Sequence, residues 1–97
     1  MKSIRLAALA VDDLRDAVQW YEQQRAGLGG EFAQQTDRLL SKMAENPLQF
    51  PVVHRDVRRA LVRPFPYGIF FRDLGSILRI VAIVHLHRHP STWRTRR

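Results

Sequence analysis

The amino-acid sequence predicts a single α+β domain over residues 1–97, with the element order β-α-α-β-β-β. Apolar residues recur three and four positions apart between residues 14 and 43, which is typical of amphipathic helices. Between residues 57 and 86 β-branched and aromatic residues prevail and alternate with other types, which is typical of strands. We therefore expect an N-terminal strand, a helical hairpin and a three-stranded antiparallel meander, with the hairpin packed on one face of the sheet.

The first strand is predicted over residues 3–11, and a helix follows it. This helix begins with three carboxylates, of which the first two are candidate N-caps and the third suits the helix dipole: Asp12, Asp13 and Asp16. Its apolar stripe consists of Leu14, Ala17, Val18 and Tyr21. Neighbouring rings cannot share one helix face, so either Trp20 or Tyr21 is expected in the core and the other at the surface.

The segment Gly27-Leu28-Gly29-Gly30 is predicted to end this helix and to start a short turn. A second helix follows, with an apolar stripe of Phe32, Thr36, Leu39, Leu40 and Met43. Asn46-Pro47 ends it, because proline disfavours helix at the preceding residue. Two helices joined by so short a turn form an antiparallel hairpin. Residues 47–54 are expected to be a loop.

Three strands are predicted over residues 57–63, 67–72 and 77–86. In the last of them, alternate residues are apolar and are expected to face the core under the helical hairpin: Leu78, Ile80, Ala82, Val84 and Leu86. The opposite face of this strand is mixed in character. On the same alternation, it carries Arg79, His85 and His87 together.

Basic charge is concentrated in the second half of the chain. Lys and Arg number 16 against 9 Asp and Glu, which gives a net charge of +7. Residues 1–50 have a net charge of −1 and residues 51–97 have a net charge of +8, all of it from arginine. The planar guanidinium group suits phosphates and carboxylates, so the second half predicts an acidic partner. No stretch approaches the roughly 20 apolar residues of a membrane span, and we expect a cytoplasmic protein without a membrane partner.

The candidate binding surface consists of arginines from the three predicted strands and the C-terminal tail, with Trp93 among them: Arg58, Arg59, Arg63, Arg72, Arg79, Arg88, Arg94, Arg96 and Arg97. Such a surface suits a phosphate backbone or an acidic peptide. The alternative interpretation is a solvated face that keeps strand edges from pairing. The tail is expected to lie outside the core, so removal of residues 94–97 should leave folding nearly intact.

Other kinds of site have less support. The absence of cysteine excludes a thiolate metal site and a cysteine nucleophile. His85, His87 and His89 alternate as zinc ligands on a strand would, but no neighbouring carboxylate completes a site and Arg88 repels a cation. We therefore expect no metal ion and no cofactor. His85 is a candidate general acid or base, and a half-buried structural histidine is the alternative.

Short motifs are spread over nearly the whole chain. They are Asp13-Leu14 with Ala17, Trp20-Tyr21-Glu22, Gly27-Leu28-Gly29 with Phe32, Asn46-Pro47, Phe50-Pro51, Val57-Arg58-Arg59-Ala60-Leu61, Phe65-Pro66-Tyr67 with Ile69 and Phe71, and finally His85, Arg88, Pro90, Trp93 and Arg94. Together they resemble the RelE/ParE superfamily of bacterial toxins. The resemblance implies a helical hairpin on a mostly antiparallel sheet. It also implies the toxin of a type II toxin–antitoxin pair, which forms a hetero-oligomer with a cognate ParD- or RelB-like antitoxin.

The superfamily divides by target. RelE-like members cleave mRNA in the ribosome with arginines, lysines and, in some, a glutamate, histidine or C-terminal tyrosine, whereas ParE-like members inhibit DNA gyrase without a nuclease site. The second half of this chain has no lysine and no glutamate, and its last tyrosine is Tyr67. The resemblance therefore implies a ParE-like gyrase inhibitor that is not an enzyme. Its predicted target-binding residues are Arg58, Arg59, Arg63, Arg72, Arg79, Arg88, Trp93, Arg94 and Arg96.

Two alternatives stay open. One is a ribosome-dependent mRNA endoribonuclease with a catalytic set of Arg63, Arg79, His85 and Arg88, in which guanidinium groups would stabilise the charge that develops during cleavage. The other is a basic nucleic-acid-binding module that has no antitoxin.

Overall fold

The computed structural model describes residues 1–97. Its elements follow in the order β1 (Ser3–Leu6), α1 (Ala8–Gln24), α2 (Leu28–Glu45), a 3₁₀ turn (Pro47–Gln49), β2 (Val52–His54), β3 (Val57–Leu61), β4 (Tyr67–Asp73), β5 (Ile77–His85) and α3 (Ser91–Arg94). The five strands form one sheet in the order β1-β5-β4-β3-β2. The predicted α+β fold is confirmed. None of the helices has the length and apolar character needed to cross a membrane.

The sheet is larger than predicted because two strands flank the meander. Strands β3, β4 and β5 are antiparallel, as expected. Strand β1 pairs with β5 in parallel, so the sheet is mixed. Strand β2 lies in the segment expected to be a loop, where Val52 pairs with Arg58 of β3. A three-residue strand with two β-branched residues is too short to leave a period in the sequence.

The N-cap of helix α1 lies five residues before Asp12, the first of the two predicted caps. It is Ala7, which makes no side-chain capping bond, and the first turn of the helix holds no acidic residue. The Ala7 amide donates to the Ile80 carbonyl at 2.9 Å, so the chain leaves β5 there and turns directly into the helix. The prediction that Asp12 or Asp13 caps the helix is therefore wrong.

Helix α2 includes two glycines that were expected to lie in the turn. Gly27 has a φ of 89° and forms the turn, but the helix already begins at Leu28. A Cβ on Gly29 would lie 2.5 Å from the Val18 carbonyl oxygen of α1. Glycine is needed there because the two helix backbones approach so closely. The predicted apolar stripe is confirmed, with Phe32, Thr36 and Met43 buried.

The two faces of the sheet differ in what covers them. The helical hairpin covers one face, which we call the helix-covered face. Its core joins Ala10, Ala17, Tyr21, Phe32, Met43, Ala60, Val62, Phe65, Ile69, Phe71, Leu78, Ile80 and Ile83. The opposite face, which we call the helix-distal face, carries a smaller cluster of Val57, Phe70, Val81, Ala82, Val84 and Trp93. Trp93 belongs to the four-residue helix α3, the only helix on this side.

A β-bulge divides β5 into two parts. Phe71 of β4 pairs with Ile80 and Phe70 pairs with Ala82, so Val81 is the extra residue. A bulge reverses the alternation of side chains beyond it. Leu78 and Ile80 accordingly lie on the helix-covered face, as predicted, whereas Ala82 and Val84 lie on the opposite face. The prediction of one continuous apolar face from 78 to 86 is wrong.

The outer edge of β5 has no strand partner beyond Ile80. Two side chains form hydrogen bonds to the exposed backbone groups of this edge instead. Asp13 of α1 accepts a hydrogen bond from the Ile83 amide at 3.0 Å. Arg96 donates to the Val81 carbonyl at 3.2 Å and forms an ion pair with Asp13. Both side chains are largely buried, with exposed fractions of 17% for Arg96 and 15% for Asp13. The tail is therefore anchored to the core, and the prediction that it lies outside is wrong.

Candidate functional site

Three arginines form a row across the helix-distal face, and we call them the arginine row: Arg5, Arg79 and Arg72. Arg79 lies between Leu78 and Ile80, whose side chains are buried under the helices. Since side chains alternate along a strand, Arg79 points to the opposite face. It pairs in register with Arg5 of β1 and with Arg72 of β4. Neighbouring strands lie about 4.8 Å apart, so the row is about 10 Å long.

A cleft lies between the start of β3 and the C-terminal tail, next to Arg72 of the row. Its volume is about 290 Å³, and its lining contains five arginines, one carboxylate and one apolar residue: His54, Arg55, Asp56, Val57, Arg72, Arg94, Thr95, Arg96 and Arg97. Trp93, which precedes the cleft residue Arg94, is stacked on Phe70 with ring centroids 4.3 Å apart. The Arg94 guanidinium lies over the Trp93 ring at 5.4 Å. The anchored tail thus carries exposed cations to the edge of the row.

Few acidic groups neutralise this surface. Arg72 donates to Asp56 at 3.0 Å and Arg79 donates to the backbone oxygen of Arg97 at 2.9 Å. Arg5 and Arg94 form no ion pair with any carboxylate. The helix-distal face therefore keeps an excess of positive charge available to a ligand.

The structure does not bring all the predicted arginines to this surface. Arg58 lies on the helix-covered side and donates to the Phe50 carbonyl at 2.7 Å. Arg59 lies on the helix-distal face, where its Nε is buried without a hydrogen-bond partner. Arg63 lines a separate cavity of about 300 Å³ beside α2, together with Arg38 and Lys42. The predicted surface is thus divided among several places, and its members in or near the cleft are Arg72, Arg79, Arg94, Arg96 and Arg97.

His85 and Arg88 belong to a different site. They line a cavity of about 190 Å³ between α1 and the end of β5, with Asp13, Asp16, Ala17, Trp20, Tyr67, Ile83 and Val84. The His85 ring lies 5.5 Å from that of Tyr67, which packs against the helix-covered core. Since the bulge at Val81 turns His85 towards the helices, it does not share a face with Arg79. The predicted set of Arg63, Arg79, His85 and Arg88 is not assembled in one place.

Aromatic and titratable groups meet in that cavity. Trp20 is 53% exposed at its mouth, whereas Tyr21 is 8% exposed in the core, which confirms that the two rings separate. Burial raises the pKa of the Tyr67 phenol, while Arg88 opposes that rise and Asp13 and Asp16 add to it. Tyr67 is therefore a neutral hydrogen-bonding group at neutral pH.

The three histidines make separate local contacts. His85 Nδ1 accepts a hydrogen bond from the His87 amide at 3.0 Å, so its proton in the neutral form lies on Nε2. His89 Nδ1 accepts from the Ser91 amide at 3.1 Å, at the start of α3. No group of three or more histidine, cysteine, aspartate or glutamate side chains has the geometry of a metal site.

Two residues of this region were not predicted. Arg5 joins the row because β1 pairs in parallel with β5, and a four-residue strand gives no sequence signal for its partner. Asp13 was interpreted as a helix cap, whereas it binds Arg96, which lies 83 positions away. The sequence does indicate the face on which Arg5 lies, because the apolar residues Ile4 and Leu6 flank it on a strand. For Asp13 the sequence gives no signal of its contact with Arg96.

Comparison with known proteins relates the chain to one family and to solved structures. The model of the family described as "ParE toxin of type II toxin-antitoxin system, parDE" matches residues 4–90. A solved structure described as "Chromosomal ParDE TA system from P. aeruginosa" is similar, with a TM-score of 0.77 and 19% sequence identity over 88% of this chain and 96% of that chain. No curated protein sequence matches this chain.

Proposed function

The chain belongs to the ParE toxin family of type II toxin–antitoxin systems, and on that premise we propose that it arrests bacterial growth by inhibiting DNA gyrase. The proposed activity is the binding of a target without chemical conversion. A cognate antitoxin of the ParD or RelB type is the proposed partner that neutralises it.

The observation that carries this proposal is the separation of His85 from Arg79. Cleavage of RNA requires a general base and charge-stabilising groups around one reacting phosphate, at hydrogen-bonding distance. Here the imidazole faces the helices, while Arg79 lies on the opposite face of the sheet. A gyrase inhibitor needs no such convergence, so this arrangement favours gyrase over the ribosome as the target.

We propose that the target is bound by the arginine row together with the exposed cations of the tail, Arg94 and Arg97. These side chains lie on one face, and one of them is neutralised by a carboxylate, Arg72 by Asp56. Arg96 has a structural role instead, because its ion pair with Asp13 fixes the position of the tail. Arg58, Arg63 and Arg88 point elsewhere and are left out of the proposed contact.

We propose that the antitoxin neutralises the toxin by covering this surface with an acidic or amphipathic segment. The charge of residues 51–97 is complementary to acidic side chains. A segment bound there blocks the target from the same arginines, which makes neutralisation a competition for one surface.

The proposal is tested in cells and with purified proteins. The chain is induced alone in a bacterial host, and DNA and protein synthesis are pulse-labelled through the first minutes of growth arrest. In parallel, purified gyrase and plasmid are incubated with the chain, and both supercoiling and trapped DNA breaks are measured. We expect DNA synthesis to fail first, with loss of supercoiling, and the antitoxin encoded beside this chain to restore both.

Two results would contradict the proposal. If protein synthesis fails first and mRNA is cut in translating ribosomes, the ribonuclease alternative is correct, and His85→Gln becomes the variant to examine. If growth continues at full expression of a folded chain, the family fold here carries no toxin activity.

A further inference from the structure

We propose that the arginine row and its cleft bind the phosphate backbone of duplex DNA. This step rests on the proposed function and narrows it: within the complex that gyrase forms with DNA, the row contacts the DNA segment. The evidence comes from the charge arrangement of the row, from the composition of the cleft and from the length of the row.

The row works against the stability of the sheet. Like charges placed directly opposite each other on neighbouring strands repel, and here three arginines occupy consecutive strands in register. One carboxylate, Asp56, approaches one end of the row at Arg72. Arg79 also binds the Arg97 backbone oxygen, but none of the three arginines belongs to either apolar core. Clustered cations outside the cores, with one carboxylate beside them, indicate an anionic ligand.

The cleft is polar and basic, as DNA interfaces are, and it lacks the apolar centre of most protein interfaces. Protein interfaces contain aromatic or aliphatic anchors in a desolvated centre. In this cleft one of nine lining residues is apolar, and that residue, Val57, is buried. The large apolar side chains of this face, Phe70 of β4 and Trp93 of α3, are buried against each other. Interfaces with DNA are more polar and strongly positive.

The dimensions of the row suit a phosphate backbone. A DNA strand carries one phosphate for about every 3.4 Å of helix axis, so a row about 10 Å long spans about three phosphates of one strand. Guanidinium groups bind phosphate oxygens through two parallel hydrogen bonds. Arg94 and Arg97, which line the cleft next to Arg72, extend this contact along the same side of the sheet.

The experiment uses the whole chain and a fluorescent duplex of about 20 base pairs, with binding followed by anisotropy between about 50 and 200 mM salt. The test variant is Arg5→Gln with Arg79→Gln. The matched control, Arg15→Gln with Arg38→Gln, removes the same charge from exposed positions of α1 and α2. Melting curves of all three proteins establish that each is folded.

We expect the wild-type chain to bind the duplex with a micromolar Kd, as sequence-independent contacts do. The row variant should lose about two phosphate contacts, which lowers the salt slope by about 1.8 and weakens binding roughly tenfold or more. The helix variant should keep at least half of the wild-type affinity.

Three results would overturn the DNA site. One is the absence of duplex binding at the lowest salt, and another is equal weakening by the row and helix variants, which would mean bulk charge alone. The third is a salt slope that is unchanged in the row variant, which would mean that the row makes no phosphate contact.

Measurements on the wild-type chain separate this inference from the proposed function. A chain that inhibits gyrase but does not bind DNA refutes the DNA site and leaves gyrase as the target. A chain that binds DNA through the row but leaves supercoiling unchanged refutes gyrase as the target and leaves the DNA site in place.

Discussion

The two faces of the sheet differ in character although neighbouring residues of the same strands form them. In β4, Phe71 packs under the helical hairpin, and the next residue, Arg72, lies in the arginine row. In β5, Ile80 belongs to the same buried core, and the residue before it, Arg79, is the centre of that row. One face is apolar and covered by two long helices, while the other is charged and partly covered by one short helix.

If the row binds the target as we propose, stability and target binding are separable in this fold. Substitutions on the helix-covered face should unfold the protein, and substitutions in the row should leave it folded but inactive. The connection between the faces is the Asp13–Arg96 pair, which ties the C-terminal tail to α1. Variants on each face, and in that pair, test how far the separation holds.

The largest effect is expected from adjacent phenylalanines of β4. Phe71→Ala should destabilise the fold by about 3–5 kcal/mol, because its ring is fully buried under the helices. Phe70→Ala should cost less, about 2–3 kcal/mol, because the four-residue helix α3 can settle into the space. Urea unfolding of both variants measures the difference. Equal losses would mean that α3 covers its face as firmly as the hairpin covers the other.

The next effect is expected in the tail. Arg96→Gln leaves the buried Asp13 carboxylate without its cation and should cost about 2–3 kcal/mol. Arg97→Gln, a matched change in the same tail, should cost less than about 0.5 kcal/mol, since the residue is exposed. Thermal melting of the two variants compares them, and deletion of residues 94–97 should behave like Arg96→Gln. A deletion that melts with the wild type would restore the expectation of a dispensable tail.

Part of this arrangement was predictable from sequence and part was not. The helical stripe that includes Phe32 and Met43 was readable, because a period of 3.6 residues is a local signal. The bulge at Val81 was not, because the alternation of apolar residues continues through it and the extra residue is defined by β4. The position of the bulge depends on how β5 pairs with β4, and the bulge places His85 and Arg79 on opposite faces of the sheet.

The candidate site was predicted by residue type rather than by position. Two of the three row residues and all five arginines of the cleft come from the second half of the chain, where arginine is in excess. Its distribution among several surfaces could not be predicted, because a one-residue shift changes the face on which a strand residue lies. Arg5 was missed for a related reason: the row depends on a parallel pairing between residues 74 positions apart.

A smaller effect is expected at the edge of the sheet, where Lys2 donates to Asp73 at 2.7 Å. The hydrogen bond from Lys2 and another from the Gly75 amide lower the pKa of Asp73. The stability they contribute is present above the unfolded pKa of about 4 and is lost as pH falls through the folded value. Asp73→Asn should therefore lower the free energy of unfolding by up to about 1 kcal/mol at neutral pH. It should also make that free energy depend less on pH in the acid range.

The measurement is the free energy of unfolding from neutral to acid pH. The matched control is Asp37→Asn, on an exposed site of α2 without an ion pair. The control should follow the wild-type curve. An Asp73→Asn variant with the wild-type pH dependence in the acid range would show that this pair contributes nothing to acid stability.

The smallest effect is expected from His85→Gln. If the target is gyrase, the imidazole is a structural group beside Tyr67, and the variant should arrest growth as the wild type does. Arg79→Gln serves as the comparison and should reduce the arrest. Growth curves after induction measure both. Loss of toxicity in a folded His85→Gln variant would mean that the functional site lies on the helix-covered side of the sheet.

The most direct test of the separation between the faces is gyrase supercoiling with matched double variants. Arg5→Gln with Arg79→Gln removes two charges from the row, and Arg15→Gln with Arg38→Gln removes two from the helical hairpin. We predict that the row variant melts with the wild type but needs at least roughly tenfold more protein to stop supercoiling, while the hairpin variant acts as the wild type does. Equal inhibition by the two variants would contradict the assignment of the helix-distal face to target binding.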